Sequence, residues 1–213
     1  PGPLTTAAPP DRPRAATAPQ AQSAGSGDWR SAGPYGGSVR ALALSPDFAY
    51  DGLALAGGWK TGRLGRTGGY GIVRTTDGGA TWANRSAGLP NNPMNVVVHD
   101  GTRVLVGGGQ RFGSQYVGLY ASDNDGVTWT PLHSAAWPVL VVTDLALDPG
   151  DSSVILASTE GSGVHRSTDG GATWAVGLGG SGSFTLASVR YAPGTTMTVF
   201  LGASSLGVVR SLD

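Results

Sequence analysis

The chain has 213 residues, with 36 Gly, 14 Pro, no Cys and only 13% charged residues; Glu160 is its single glutamate and Lys60 its single lysine. Fourteen basic side chains balance fourteen acidic ones, which argues against a nucleic-acid surface, and the missing cysteines exclude disulfide scaffolds, thiolate metal sites and thiol nucleophiles. The Gly-rich, Glu- and Lys-poor composition disfavours helix, and no apolar run approaches the ~18 residues of a membrane-spanning helix.

Residues 1–27 hold six of the prolines and seven alanines, with Leu4 as the only large aliphatic residue. Such a stretch cannot bury a core and reads as an extended, polyproline-like arm. At roughly 3.1 Å per residue it would span about 80 Å, enough to connect subunits of an assembly. The opening Pro1, with no signal-like segment, reads as the start of a processed product or a fragment.

From residue 28 onward the chain repeats. The first repeat predicts strands at Val39–Leu44, Leu53–Gly57 and Gly71–Thr75; the second, at Asn95–Val98, Val104–Gly107 and Gly118–Ser122. Val142–Leu147, Val154–Ser158 and Gly163–Ser167 make the third, and Ala187–Tyr191, Thr198–Gly202 and Gly207–Ser211 the fourth. Each third strand runs into a box. Thr75-Thr-Asp77-Gly-Gly79-Ala-Thr-Trp82 recurs as Ser167-Thr-Asp169-Gly-Gly171-Ala-Thr-Trp174, and Ser122-Asp-Asn124-Asp-Gly126-Val-Thr-Trp129 lies between them. A fourth copy begins at Ser211-Leu212-Asp213. Each Trp opens a short fourth strand, at Trp82–Arg85, Trp129–Leu132 and Trp174–Leu178. Units of 40–50 residues with four antiparallel strands predict an all-β propeller of about four blades. The segment around Trp29 looks like a box end with its following strand, and is expected to close the ring as the last blade's outer strand.

The box has a physical logic as a turn. The Asp carboxylate can accept backbone N–H groups, Gly supplies positive φ, and Trp carries apolar surface between blades. The pattern resembles the Asp-box, or BNR, repeat. The wider phrase Leu145–Pro149 followed by Gly163–Trp174 is similar to the propellers of xyloglucan-active glycoside hydrolases, sortilin ectodomains and photosystem II assembly factors. The resemblance covers residues 28–213. It implies that the box residues are folding elements placed away from any active site. Arg74, Arg166 and Arg210 precede three boxes and are expected to serve turn carbonyls or neighbouring carboxylates. Asp123 and Asp125 lack the longer ligand series of a calcium loop, and His99, His133 and His165 lack metal spacing. No metal or cofactor is expected.

Two catalytic readings arise from the resemblance. A sialidase-like site needs a Tyr activated by Glu, and Glu160 stands alone in a short loop. A xyloglucanase-like site needs two carboxylates across a cleft; Asp47, Asp51, Asp100 and Asp144 are the candidates, and the family's cleft lies between two tandem propellers. A different surface is suggested by loop length. The second-to-third strand loops are long in the first two repeats and carry Trp59, Lys60, Arg63, Arg66, Tyr70, Arg111, Phe112 and Tyr116. Aromatics with arginines suit a protein interface or a glycan platform. The expected function is a non-enzymatic, secreted or cell-surface module that forms a homo-oligomer or joins a larger assembly. The alternative is a carbohydrate-active propeller, hydrolytic or lectin-like. Abundant Arg, Ala, Gly and Pro fit a GC-rich bacterial gene.

Overall fold

The computed structural model describes residues 33, 38–59, 71–110, 115–132, 140–178, 186–194, 198–204 and 206–211. They form four antiparallel sheets in chain order. The first holds β1 (Ser38–Leu44), β2 (Ala54–Trp59), β3 (Gly71–Thr75) and β4 (Ala83–Asn84), with the one-turn helix α1 (Phe48–Asp51) between β1 and β2. The second holds β5 (Met94–His99), β6 (Val104–Gln110), β7 (Gln115–Ser122) and β8 (Thr130–Pro131). The third holds β9 (Val142–Leu147), β10 (Ile155–Thr159), β11 (Gly163–Ser167) and β12 (Ala175–Leu178); the fourth holds β13 (Leu186–Tyr191), β14 (Val199–Ala203) and β15 (Gly207–Ser211).

Register makes the sheets equivalent. Ala54 lies opposite Thr75, Val104 opposite Ser122, Ile155 opposite Ser167 and Val199 opposite Ser211. The middle strands β2, β6 and β10 read as near-continuous apolar runs because both of their faces are covered, and all five residues of β10 are buried; in β14 Phe200 is exposed. The apolar clusters therefore lie between sheets. Leu55 and Ile72 of the first sheet meet Val97, Val104 and Val106 of the second. Leu105 and Leu119 of the second meet Leu145 and Ile155 of the third, and Leu156 and Val164 of the third meet Val189 and Leu201 of the fourth. The inner strands follow suit, with β1 against β5, β5 against β9 and β9 against β13. Among the described residues no comparable packing joins β13 to β1.

Several expectations are corrected. The two-residue β4 and β8 are shorter than predicted, since the chain pairs only briefly after each Trp. Trp59 and Tyr116 belong to strands, opposite Ser38 and Gly109, because β2 and β7 run further into the long loops than their apolar runs suggested. The turn around Asp47 and Asp51 winds into α1, since Asp51 accepts from Ser45 Oγ (2.6 Å) and from the Leu53 N–H (2.7 Å) and fixes a compact bend. Trp29, Asp213 and the arm lie outside the described residues, as does the predicted closing strand.

Candidate functional site

The three complete boxes share one bonding scheme. Thr75 Oγ1 donates to Asp77 Oδ1 (2.6 Å) and accepts from Gly79 N (2.9 Å), while Thr81 N donates to Oδ1 (2.9 Å) and Thr81 Oγ1 to Oδ2 (2.5 Å). Ser167, Asp169, Gly171 and Thr173 repeat it with bonds of 2.5–2.8 Å. In the second box Asn124 Oδ1 accepts from Ser122 Oγ (2.9 Å) and Thr128 N (2.8 Å), and its Nδ2 donates to Thr128 Oγ1 (2.8 Å). Gly79, Gly126 and Gly171 all take positive φ. A Cβ at Gly171 would also stand 2.8 Å from Leu132 Cδ1, so the turn needs glycine for both backbone and space.

These bonds have an acid-stability consequence. The Thr75 hydroxyl, followed by the Thr81 hydroxyl and N–H, lowers the Asp77 carboxyl from 3.8 to about 2. The Thr173 hydroxyl and N–H, with the Ser167 hydroxyl, do the same for Asp169. Both folded values lie below the unfolded one, so their contribution is complete above pH 3.8 and is lost as pH falls through about 2. Asn124 keeps the scheme without a proton to bind. The double variant Asp77→Asn/Asp169→Asn is therefore expected to flatten the stability loss across that window. An unchanged acid limb in chemical denaturation would contradict it.

Between sheets, the boxes are joined by bonds to the neighbouring blade. Trp129 Nε1 donates to the Arg85 carbonyl (2.7 Å) and Trp174 Nε1 to the Leu132 carbonyl (3.2 Å), each three residues beyond the preceding Trp. Arg74 Nη1 donates to the Asp125 carbonyl of the next box turn (3.1 Å). The second sheet has Ala121 at Arg74's register position, and there Arg103, from the β5–β6 turn, donates to the equivalent Gly170 carbonyl (3.1 Å). Arg166 bonds the Tyr191 hydroxyl, whose pKa is raised chiefly by burial. Nothing in sequence spacing pointed to Arg103, because it replaces a repeated residue from a different strand.

The carboxylates proposed for catalysis are mostly committed elsewhere. Asp51 holds the bend already described. Asp100 accepts from Thr102 N, Thr102 Oγ1, Arg103 N and Arg103 Nε at 2.7–3.1 Å. Buried Asp144 accepts from the Leu145 and Val189 N–H groups (both 3.0 Å) and from Arg190 Nη1, joining the third sheet to the fourth. Asp47 alone makes no side-chain cap bond. His99 Nδ1 accepts from Gly101 N (3.0 Å), and His165 is buried in β11. Among the described residues no group of three His, Asp or Glu side chains could hold a metal.

Of the aromatic and basic loop residues, Trp59 ends β2 and half-exposed Tyr116 sits near the start of β7, so both lie on the edge opposite the boxes. Lys60, Arg63, Arg66, Tyr70, Arg111 and Phe112 lie outside the described residues.

No protein-family model and no curated protein matches the sequence. Solved structures do. A xyloglucanase from Xanthomonas campestris is 21% identical, with a TM-score of 0.59 over 83% of this chain and 29% of its own. YCF48 from Cyanidioschyzon merolae is 17% identical, at 0.55 over 82% of this chain and 50% of its own. A nidogen/laminin complex chain is 14% identical, at 0.56 over 80% and 58%. The chain spans less than a third of the xyloglucanase's length. At these identities the likeness shows a fold of β-propeller type, shared by hydrolases and by proteins of binding complexes alike.

Proposed function

We propose that the chain is a non-enzymatic, extracytoplasmic binding module that assembles with itself or with a larger protein complex. The observation that carries this reading is the use of Asp51, Asp100 and Asp144 as hydrogen-bond acceptors within turns and between sheets. A hydrolytic pair needs one carboxyl free to hold a proton and another free to attack or to activate water. The long-loop edge, with Trp59, Arg63, Arg66, Arg111 and Tyr116, is the surface that would meet a partner, and residues 1–27 are the connecting arm. Among the described residues no helix is long and apolar enough to cross a membrane.

The second reading, a carbohydrate-active propeller, is favoured by the xyloglucanase neighbours. One experiment separates the two. Xyloglucan oligosaccharides are expected to release no reducing ends, while Arg63→Ala/Arg66→Ala/Arg111→Ala weakens assembly without lowering Tm. Turnover that disappears in Asp47→Asn, or assembly unmoved by the triple variant, would overturn the proposal.

A further inference from the structure

The chain is neutral overall, yet its charge divides between two edges of the sheet stack. The boxes and the turns after each inner strand lie on one edge; the long loops and the connections from sheet to sheet lie on the other. The box-edge segments (45–53, 76–82, 100–103, 123–129, 148–154, 168–174 and 192–198) carry nine aspartates and one arginine, Arg103. The opposite segments (60–70, 85–93, 111–114, 132–141, 160–162, 179–185 and 204–206) carry Lys60, Arg63, Arg66, Arg85 and Arg111 against the single acid Glu160. A six-residue strand such as β2 separates the edges by about 20 Å. That exceeds twice the ~8 Å screening length at physiological salt, so an approaching molecule meets one edge rather than the neutral whole.

Arg40 gives the basic edge a fixed point. It occupies the bulge between Val39 and Ala41, close to where Ser38 pairs with Trp59 at the long-loop end of β2. Its Nη1 donates to Asn95 Oδ1 (3.0 Å). Asn95 sits at the matching bulge of β5 and is itself pinned, because its Nδ2 donates to the Gly109 (2.8 Å) and Val142 (3.1 Å) carbonyls. Gly109 lies opposite Tyr116, so the half-exposed aromatic is a near neighbour. The Arg40 guanidinium is exposed, and among the described residues it has no carboxylate partner, unlike Arg103 and Arg190. An oriented guanidinium with open N–H groups suits a carboxylate from outside the chain.

We infer that the basic long-loop edge docks on the acidic box edge of a second copy of the chain, so that copies stack head to tail. The occupant follows from charge complementarity, since the same molecule carries both surfaces. On the box edge Asp47 and Asp123 are exposed, and Asp47 makes no cap bond. The Asp77 and Asp169 carboxylates, held well below the usual range by their box bonds, stay ionised at neutral pH. Exposed Tyr50 (80%) and Val127 (50%) give that edge apolar contacts for the aromatics opposite. Because the two edges differ, the contact is heterologous, and each copy added leaves one edge of either kind free. The product is an open column rather than a closed pair.

The inference rests on the assembly reading and names its partner. Sedimentation velocity at micromolar concentration is expected to show a series of masses at about 20 mM salt that collapses to one chain at about 500 mM. Arg63→Glu/Arg66→Glu reverses the basic edge. Asp47→Lys/Asp123→Lys reverses the box edge at positions the box bonds do not use; Asp123 stands where the other boxes have Thr76 and Thr168. Each variant alone should associate ~10-fold or more weakly with wild-type Tm. An equal mixture sets one reversed edge against the other and should recover the wild-type series. A monomeric wild type, association insensitive to salt, a closed two-chain particle, or no recovery on mixing would overturn the stack. A box-edge variant that assembles like wild type, while Arg63→Ala/Arg66→Ala/Arg111→Ala still weakens assembly, would overturn this docking and leave the assembly reading standing. If a reversed variant misfolds, Asp47→Asn/Asp123→Asn and Arg40→Gln replace it, each expected to weaken association; wild-type association in either would overturn the stack.

Discussion

Trp129→Ala is expected to lower the stability of the chain by about 3–5 kcal/mol, the range for truncating a large aromatic in a packed site. The ring lies across the first junction. Its edge is the nearest neighbour of a Cβ built at Gly126 (3.1 Å), with Leu55 Cδ2 of the first sheet at 3.3 Å from the same point. It packs against the cluster of Leu55, Ile72, Val97 and Val104, and its indole N–H satisfies the Arg85 carbonyl. Alanine removes the contact area and leaves that carbonyl to find water. Trp129→Phe keeps most of the area and loses the hydrogen bond alone, which is worth about 1 kcal/mol. Urea denaturation of both variants checks the partition. Equal losses for alanine and phenylalanine would mean that the ring contributes little packing between the sheets.

Gly108→Ala is expected to cost on the order of 3 kcal/mol, for a reason unrelated to helix or strand preference. Gly108 faces a bulge between Met94 and Val96, and a Cβ there would stand 2.1 Å from the Pro93 carbonyl oxygen and 2.9 Å from Met94 Cα. Both obstacles are backbone, so relief requires shifting β5, whose Met94 is fully buried in the first junction. Gly177→Ala is the control. It has ordinary φ and meets only the Val164 carbonyl at 3.6 Å, so its effect should stay within about 0.5 kcal/mol. A Gly108→Ala protein that melts with the Gly177→Ala protein would show that β5 can yield at the bulge.

The repeat made the sheets readable. The box fixes where each third strand ends, and strand alternation places the other two; β3, β9, β11 and β15 have the predicted limits. Apolar patterning also marked β2, β6 and β10, because they are covered on both faces. Less was legible where one repeat departs from the others. The tight passage at Gly58 and Gly108 has Thr159 and Ala203 at the same register position in the third and fourth sheets, so glycine there looked incidental. Arg103 substitutes for an arginine missing from β7, and only three-dimensional proximity reveals that. The candidate carboxylates show the same limit. Asp144 looks like any strand aspartate in sequence, yet it joins two sheets through bonds to residues 45 and 46 positions away. The basic and aromatic character of the long loops was visible in composition alone.

Each apolar cluster straddles two sheets, and this decides how the chain comes apart. No sheet owns an interior, so the resistance of any one to detachment is set by its neighbours. Among the described residues the second and third sheets share an apolar cluster with a neighbour on each side, the first and fourth with one neighbour. Thermal or mechanical unravelling then starts at an end, with the three-stranded fourth sheet the weaker of the two. A protease or unfoldase that engages the fourth sheet first could strip it while the middle pair stayed folded. Trimming at that end would remove Phe200 and Val208 and expose Leu156 and Val164 in their place, so the shortened stack would present the same kind of apolar face, one unit further in.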